Sequence, residues 1–258
     1  MAVRSVAERT PGARFATLRK DRWWLQPLVT VTVLTSFVLY GLYVAFVNRD
    51  YFVEPYLSPF YSPCIASDCA HQTLPIIGDW WKISPALLVL PIPLGFRLTC
   101  YYYRKAYYRS FWWAPPACAV PDARGRYSGE TRFPLILQNI HRYFFYLVLP
   151  FPVINTWDAI RGFSFPDGFG LGVGTLVLLA NAAMLWVYTL SCHSCRHLCG
   201  GHLNSFSKHP LRYRLWRWST VLNKRHMLYA WVSLFVVALA DLYVRLVANG
   251  TITDLRVF

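Results

Sequence analysis

Long apolar stretches without charge recur along the chain and predict helices that cross a membrane. Residues 27–47 form one run of 21 uncharged positions, and residues 168–191 form another of 24. A helix needs roughly 20 residues to cross a hydrocarbon layer about 30 Å thick, so either run is long enough. Three less uniform stretches, residues 83–103, 135–157 and 226–247, continue the pattern. The sequence therefore predicts five transmembrane helices.

The three weaker stretches carry polar residues within their apolar pattern. Residues 83–103 contain three prolines, which predict a kinked helix. His141 lies inside residues 135–157, and Asp241 stands near the far end of residues 226–247.

The segments that connect these stretches are alternately rich and poor in Lys and Arg. The rich segments are residues 1–26, 104–134 and 192–226. Together they hold 19 Lys and Arg, whereas the opposite set of segments holds five. Cytoplasmic loops carry the excess of Lys and Arg, so the N-terminus is predicted inside and the C-terminus outside.

Composition agrees with a membrane protein and removes one alternative. The 258 residues are 55% hydrophobic and only 15% charged, yet the net charge is +14. A positive net charge of this size also occurs in nucleic-acid-binding proteins. Here the charge is concentrated in alternate connecting segments, as in a membrane protein, so no nucleic-acid partner is expected.

The predicted architecture is an all-α integral membrane protein of the plasma membrane, a bundle of five transmembrane helices surrounded by lipid. Residues 1–26 form a basic cytoplasmic segment, residues 27–247 the transmembrane domain, and residues 248–258 a short external tail. Cys64 and Cys69 fall in an external loop, where a disulfide between them would close only a small ring. Their pairing stays open.

Cysteines and histidines collect at the predicted cytoplasmic face. The densest group is Cys192, His193, Cys195, His197, Cys199 and His202. Packing does not explain so many thiols and imidazoles in so short a stretch, and the pattern favours a metal centre. His141 and His226 begin predicted spans at the same face. Cys100 and Cys118 also lie at this face and are interpreted as small packing residues.

Helical geometry leaves two arrangements open for such a centre. On one continuous helix, Cys192, Cys195 and Cys199 fall within about 60° of one another. Two of these thiolates could then be joined by His141 and His226 from other helices, which is the preferred set. If the helix breaks near Cys195, local ligands including His197 could wrap the centre instead.

The ligand types allow three cofactors. Two thiolates and two imidazoles suit tetrahedral zinc or a Rieske-type [2Fe–2S] cluster. A b-type haem needs only two axial histidines, for which His141 and His226 would serve, but it leaves the cysteines unexplained. A zinc-binding structural or assembly protein therefore remains a second hypothesis, and a haem b anchor a third.

Several longer motifs resemble one known family. They are DRWW (21–24), SPFYSPC (58–64), FRLTCYYYRKAYYRSFW (96–112), PPACAV (115–120), GETRFPLILQN (129–139), SCHSCRHLCGG (191–201) and NSFSKHP (204–210). With them the chain resembles the membrane-anchor subunit of actinobacterial succinate dehydrogenase, of the haem-free type with a membrane-embedded Rieske-type [2Fe–2S] cluster.

The resemblance implies a role in respiratory complex II. Flavoprotein and iron–sulfur subunits would dock on the cytoplasmic face and pass electrons from succinate to menaquinone or ubiquinone. Tyr101, Tyr103 and Arg104 are candidates to line the quinone site, although an aromatic and basic interface belt explains them equally well. No catalytic motif of its own is apparent in the chain, which fits an electron-transfer subunit. The oligomeric state, including a higher oligomer of the complex, is left open.

Overall fold

The structure, a computed structural model, is predominantly helical, as predicted. It describes residues 17–64, 69–71, 74–75, 80, 82–123 and 130–258, so most of the basic segment 1–26 lies outside the described residues. The helices are α1 (Leu25–Val47), α2 (Pro85–Val89), α3 (Pro91–Thr99), α4 (Tyr101–Phe111), α5 (His141–Val148), α6 (Pro150–Arg161), α7 (Val173–Leu190), α8 (His193–Gly200), α9 (Pro210–Asn223) and α10 (His226–Ala248).

Short 3-10 segments and antiparallel strand pairs complete the described chain. The 3-10 segments are Cys69–His71 and Leu135–Ile140. The strand pairs are β1 (Phe52–Val53) with β2 (Tyr56–Leu57), β3 (Leu74–Pro75) with β4 (Lys82–Ile83), and β5 (Ser164–Phe165) with β6 (Gly168–Phe169).

Within the described residues, three helices are long and apolar enough to cross a membrane: α1, α7 and α10. They correspond to the predicted spans 27–47, 168–191 and 226–247. A fourth span results if residues Pro85–Thr99 and Tyr101–Phe111 are counted together as one broken element. The predicted count of five stays a prediction.

The second predicted span, residues 83–103, is not a single helix. It begins with β4, continues through α2 and α3, and ends where the chain bends by 76° between α3 and α4. Cys100 causes the bend because its backbone is extended, with ψ 131°. The bend therefore lies beyond the prolines that predicted a kink.

The third predicted span, residues 135–157, is helical in consecutive pieces. The 3-10 segment Leu135–Ile140 leads into α5, and α6 follows directly and runs to Arg161. Pro150 stands at the first position of α6, where a missing backbone N–H costs nothing because the first turn has no helical acceptor for it.

Long-range packing joins the helices into one body. α7 packs against both α6 and α10, α1 packs against α4, and α3 packs against α5. The largest buried cluster lies where α3, α5, α7 and α10 meet, and it includes Phe96, Cys100, Phe145, Tyr188 and Cys192. The core is therefore densest at the depth where the cysteines were predicted to gather.

The predicted cytoplasmic segment 192–226 is folded into a pair of packed helices, α8 and α9. Arg212 Nε donates to the Cys199 carbonyl at 2.9 Å, and Arg196 Nε donates to Thr220 Oγ1 at 2.9 Å. Trp216 lies directly against Gly200, where a Cβ would approach its ring to 2.8 Å. This segment is thus an ordered cap over the predicted cytoplasmic end of the bundle.

The predicted external side is also tied together. Cys64 and Cys69 form a disulfide, which answers the question that the sequence left open. Residues 248–258 are not a free tail, because Val257 N donates to the Leu171 carbonyl at 2.7 Å and Tyr56 donates to Asp254 at 2.7 Å.

A buried ion pair in α10 anchors the loop after α1. Arg245 Nε lies 2.9 Å from Asp241 Oδ2, and both side chains are buried. Tyr40 and Ser58 donate hydrogen bonds to the same carboxylate, and Arg245 Nη1 donates to the Arg49 carbonyl at 2.6 Å. The Asp241 carboxylate therefore has a structural role in the bundle.

Candidate metal centre

Two helix breaks of the same sequence pattern build the centre. Residues 96–100 read FRLTC and residues 188–192 read YTLSC. In each, an aromatic residue is followed three positions later by a hydroxyl residue and then by a cysteine. Cys100 and Cys192 both adopt an extended backbone, with ψ 131° and 143°, and each precedes a new helix.

Each hydroxyl holds a histidine that faces the cysteine of the other break. Thr99 Oγ1 lies 2.8 Å from Nδ1 of His141, whose Nε2 is 3.3 Å from Cys192 Sγ. Ser191 Oγ lies 2.7 Å from Nδ1 of His226, whose Nε2 is 3.7 Å from Cys100 Sγ. The arrangement is reciprocal and brings two thiols and two imidazoles together.

The hydrogen bonds of the hydroxyls define the state of both imidazoles. Thr99 donates its proton to the Gly95 carbonyl at 2.7 Å, and Ser191 donates to the Tyr188 carbonyl at 3.0 Å. Each hydroxyl is therefore left to accept from Nδ1–H of its histidine. The lone pair of Nε2 is then directed at a cysteine sulfur, which is the orientation that a metal-binding imidazole requires.

An aromatic ring stacks on each of the two histidines. Phe96 stacks on His141 with centroids 4.8 Å apart and an interplanar angle of 7°. Tyr188 stacks on His226 at 5.2 Å and 3°. Cys100, Cys192 and His226 are buried, at most 3% exposed, whereas His141 is half-buried. Electrostatic interactions are strong in such an environment.

Burial also affects the thiols beyond the end of α7. It raises the pKa of Cys192 to about 12 and that of Cys195 to about 11. Both thiols are thus protonated at neutral pH, and a metal would have to release the proton in order to bind a thiolate.

The assumption that one helix carries Cys192, Cys195 and Cys199 is wrong. α7 ends at Leu190, and Cys192 is the extended residue before α8, so it does not share the α8 register. Cys195 interacts with Cys199 and with Ser219 of α9. His197 lies on the outer side of α8, with its ring 4.3 Å from that of His202.

The described residues contain no group of three or more His, Cys, Asp or Glu side chains placed to hold a single metal ion. The four side chains at the breaks instead form two separate Cys–His pairs. A Rieske-type cluster has two cysteines on one iron and two histidines on the other, so these side chains supply its donor types, while each contact in the structure joins one cysteine to one histidine.

The predicted quinone residues do not converge on one point. Tyr101 is 56% exposed on the outside of α4. Tyr103 is buried and accepts a hydrogen bond from Arg97 at 2.6 Å. Arg104 pairs with Glu130 at 3.6 Å. Of the three, Tyr103 lines a cavity, which has a volume of about 480 Å³.

Cys100 is the residue that sequence reasoning set aside, since it was interpreted as a packing residue. The usable signal is the repeat of FRLTC in YTLSC, which places Cys100 and Cys192 at equivalent positions. Arg97, the second residue of FRLTC, is a single charge within the predicted span 83–103.

Comparison with known proteins identifies relatives of the chain. The sequence model of the actinobacterial succinate dehydrogenase subunit SdhC matches residues 25–250. Among solved structures, a chain of the "Mycobacterium smegmatis Sdh1 complex in the apo form" is 51% identical, with a TM-score of 0.86. The match covers 97% of this chain and 96% of that one. Comparison with curated sequences finds no match.

Proposed function

The chain belongs to the family of the actinobacterial succinate dehydrogenase subunit SdhC, and we propose that it is the electron-transferring membrane anchor of that enzyme. It is a multi-pass protein of the plasma membrane. In the proposed complex the flavoprotein and iron–sulfur subunits dock on its cytoplasmic face, and a membrane quinone accepts the electrons of succinate. The basic segments around the candidate metal centre offer a docking surface for these subunits.

The ligand set that the geometry favours is Cys100, Cys192, His141 and His226. It keeps three predicted residues and replaces the other cysteines of the group with Cys100. Two thiols and two imidazoles match the donor set of a Rieske-type [2Fe–2S] cluster. When bound, such a cluster supplies a one-electron carrier of high potential relative to clusters with only cysteine ligands.

The single observation that carries this proposal is the reciprocal pairing of the two histidines. A histidine that merely fills space has no need for a hydroxyl on one nitrogen and a sulfur on the other. Here both imidazoles have that arrangement, and the chain supplies the proton pattern that metal binding requires.

Haem b is the second candidate, because His141 and His226 are the only two ligands it needs. The close approach of each Nε2 to a sulfur favours the cluster instead. Zinc would fit the donor types, and spectroscopy separates the three.

The test is a variant series in the purified complex, measured by absorption and by paramagnetic resonance after reduction. The ligand variants are Cys100→Ser, Cys192→Ser, His141→Ala and His226→Ala. Each should abolish or sharply alter a low-g signal and stop electron transfer to quinone. Succinate oxidation with a soluble dye should persist, since it takes place in the partner subunits.

The matched controls are the residues of the competing local arrangement, Cys195→Ser, Cys199→Ser and His197→Ala. They should keep the signal. If the controls lose it and the four ligand variants retain it, the centre lies in α8. Sharp Soret and α bands in the wild-type protein would instead establish haem.

A further inference from the structure

Arg97 is a buried charge within a helix that faces the apolar core. Its side chain is 8% exposed. Nη1 donates to Tyr103 Oη at 2.6 Å, to Ser233 Oγ at 3.1 Å and to the Ala230 carbonyl at 3.3 Å. Within the described residues, Arg97 makes no other hydrogen bond. Its Nε and Nη2 atoms therefore have no acceptor in this part of the protein.

No carboxylate of the described residues forms an ion pair with Arg97. Its guanidinium instead lies over the ring of Tyr188 at 4.8 Å and the ring of Tyr103 at 5.7 Å. Aromatic faces attract a cation but do not neutralise it, and an uncompensated buried charge is costly. The structure thus holds a fixed positive charge with two free donors.

Two apolar cavities meet at this charge. One, of about 480 Å³, lies between α1, α3 and α4 and includes Tyr107 and Gln138. The other, of about 300 Å³, extends along α1 to Phe60 near the predicted external side. Arg97 and Leu94 line both. Ligand sites are typically apolar with a few polar groups that orient the ligand, and an isoprenoid quinone has this character.

Arg97 and His226 of the candidate metal centre both contact the ring of Tyr188. The Arg97 guanidinium lies over that ring at 4.8 Å, and the His226 ring stacks on it at 5.2 Å. A ligand that touches the guanidinium would therefore be close to the centre while remaining in a water-poor cavity.

We propose that Arg97 binds a carbonyl oxygen of the quinone at the junction of the two cavities. This inference rests on the proposed function and replaces Tyr101 and Arg104 as quinone contacts. Tyr103 keeps a role, because it positions the guanidinium. Gln138 Oε1, an acceptor that is buried without a partner, lines the larger cavity and is suited to accept a hydrogen bond from a hydroxyl of the quinol product.

The chemistry of the reduction explains why a permanent cation belongs there. Succinate oxidation to fumarate releases two electrons and two protons, and the quinone takes up two electrons and two protons to become the quinol. Each carbonyl oxygen gains negative charge before it is protonated. An arginine keeps its own proton, so Arg97 stabilises that charge while the protons come from water.

The variants Arg97→Gln and Arg97→Lys test this in the purified complex, with Arg161→Gln as the charge-matched control at an exposed position at the end of α6. Arg97→Gln should raise the KM for quinone at least tenfold and lower kcat, and Arg97→Lys should recover part of the loss. Dye-coupled succinate oxidation and the paramagnetic signal should be retained. An unchanged KM in Arg97→Gln overturns the proposal.

A photoreactive quinone analogue gives a readout that does not depend on electron transfer. It should label cavity residues in the wild-type complex, and both Arg97→Gln and the cavity-filling Leu94→Trp should suppress the labelling. Labelling confined to other segments overturns the proposal, even if an Arg97 variant fails to assemble. If the wild type shows no cluster signal but the label depends on Arg97, the cluster assignment fails and the quinone site stands.

Discussion

At the scale of single residues, the hydroxyls of Thr99 and Ser191 matter as much as the side chains they hold. Each uses its own proton on a backbone carbonyl and thereby accepts from a histidine. A hydrogen-bond partner of this kind fixes the tautomer of a metal-binding histidine. Its loss typically lowers metal affinity or activity by about 10–100-fold.

Ser191→Ala should therefore weaken the centre without removing a ligand. The Nδ1–H of His226 would be left buried without an acceptor, at a cost of about 1–3 kcal/mol. We expect the paramagnetic signal to remain but to disappear about tenfold faster under a chelator. Ser207→Ala, at an exposed serine of the same predicted cytoplasmic segment, is the control. Equal rates in both variants would show that the hydroxyl does not support the centre.

At the scale of elements, close packing of α3 on α5 places Thr99 beside His141. Gly95 makes this approach possible, since a Cβ there would lie 2.2 Å from Cε1 of Phe144. The two helices cannot come as close with any larger residue unless the ring moves. The separation of α3 and α5 thus determines the distance between hydroxyl and imidazole.

Gly95→Ala should destabilise the complex by about 1–3 kcal/mol through overpacking and should lower the amount of bound cluster. Gly41→Ala in α1 is the matched control, because a Cβ there meets nothing within 4 Å. Thermal unfolding in detergent, followed together with the paramagnetic signal, measures both effects. Equal melting temperatures for the two variants would contradict the packing role of Gly95.

At the scale of the whole molecule, the open question is how the helices cross the membrane. The alternation of basic segments predicts five spans, with the C-terminus outside. The structure adds that residues 248–258 pack against the start of α7, so both belong to one side of the membrane.

A phosphatase reporter that works only outside the membrane should be active when fused after Phe258. The same reporter fused after Asn204, in the basic segment between α8 and α9, should be inactive, and a cytoplasmic reporter should show the opposite pattern. Activity of the phosphatase at Asn204 with comparable expression would reverse the predicted orientation. Equal phosphatase activity at both positions would show that α10 does not cross the membrane.

Local sequence determined the membrane-embedded character of this protein. Whether a stretch enters lipid depends on its own length and composition, and α1, α7 and α10 follow the predicted runs closely for this reason. The concentration of thiols and imidazoles at one end of the spans is equally local, because it depends only on where each helix starts or stops.

Tertiary structure decided which of those side chains meet. The angular argument for Cys192, Cys195 and Cys199 required an unbroken helix, and an extended residue at Cys192 removes that condition. His226 meets Cys100 across 126 positions of sequence, and the packing of α3 and α7 against α10 sets that distance. Arg97 likewise became informative only when the fold placed it, without a carboxylate, between two cavities. Such contacts depend on the relative positions of several helices, which no single stretch of sequence specifies.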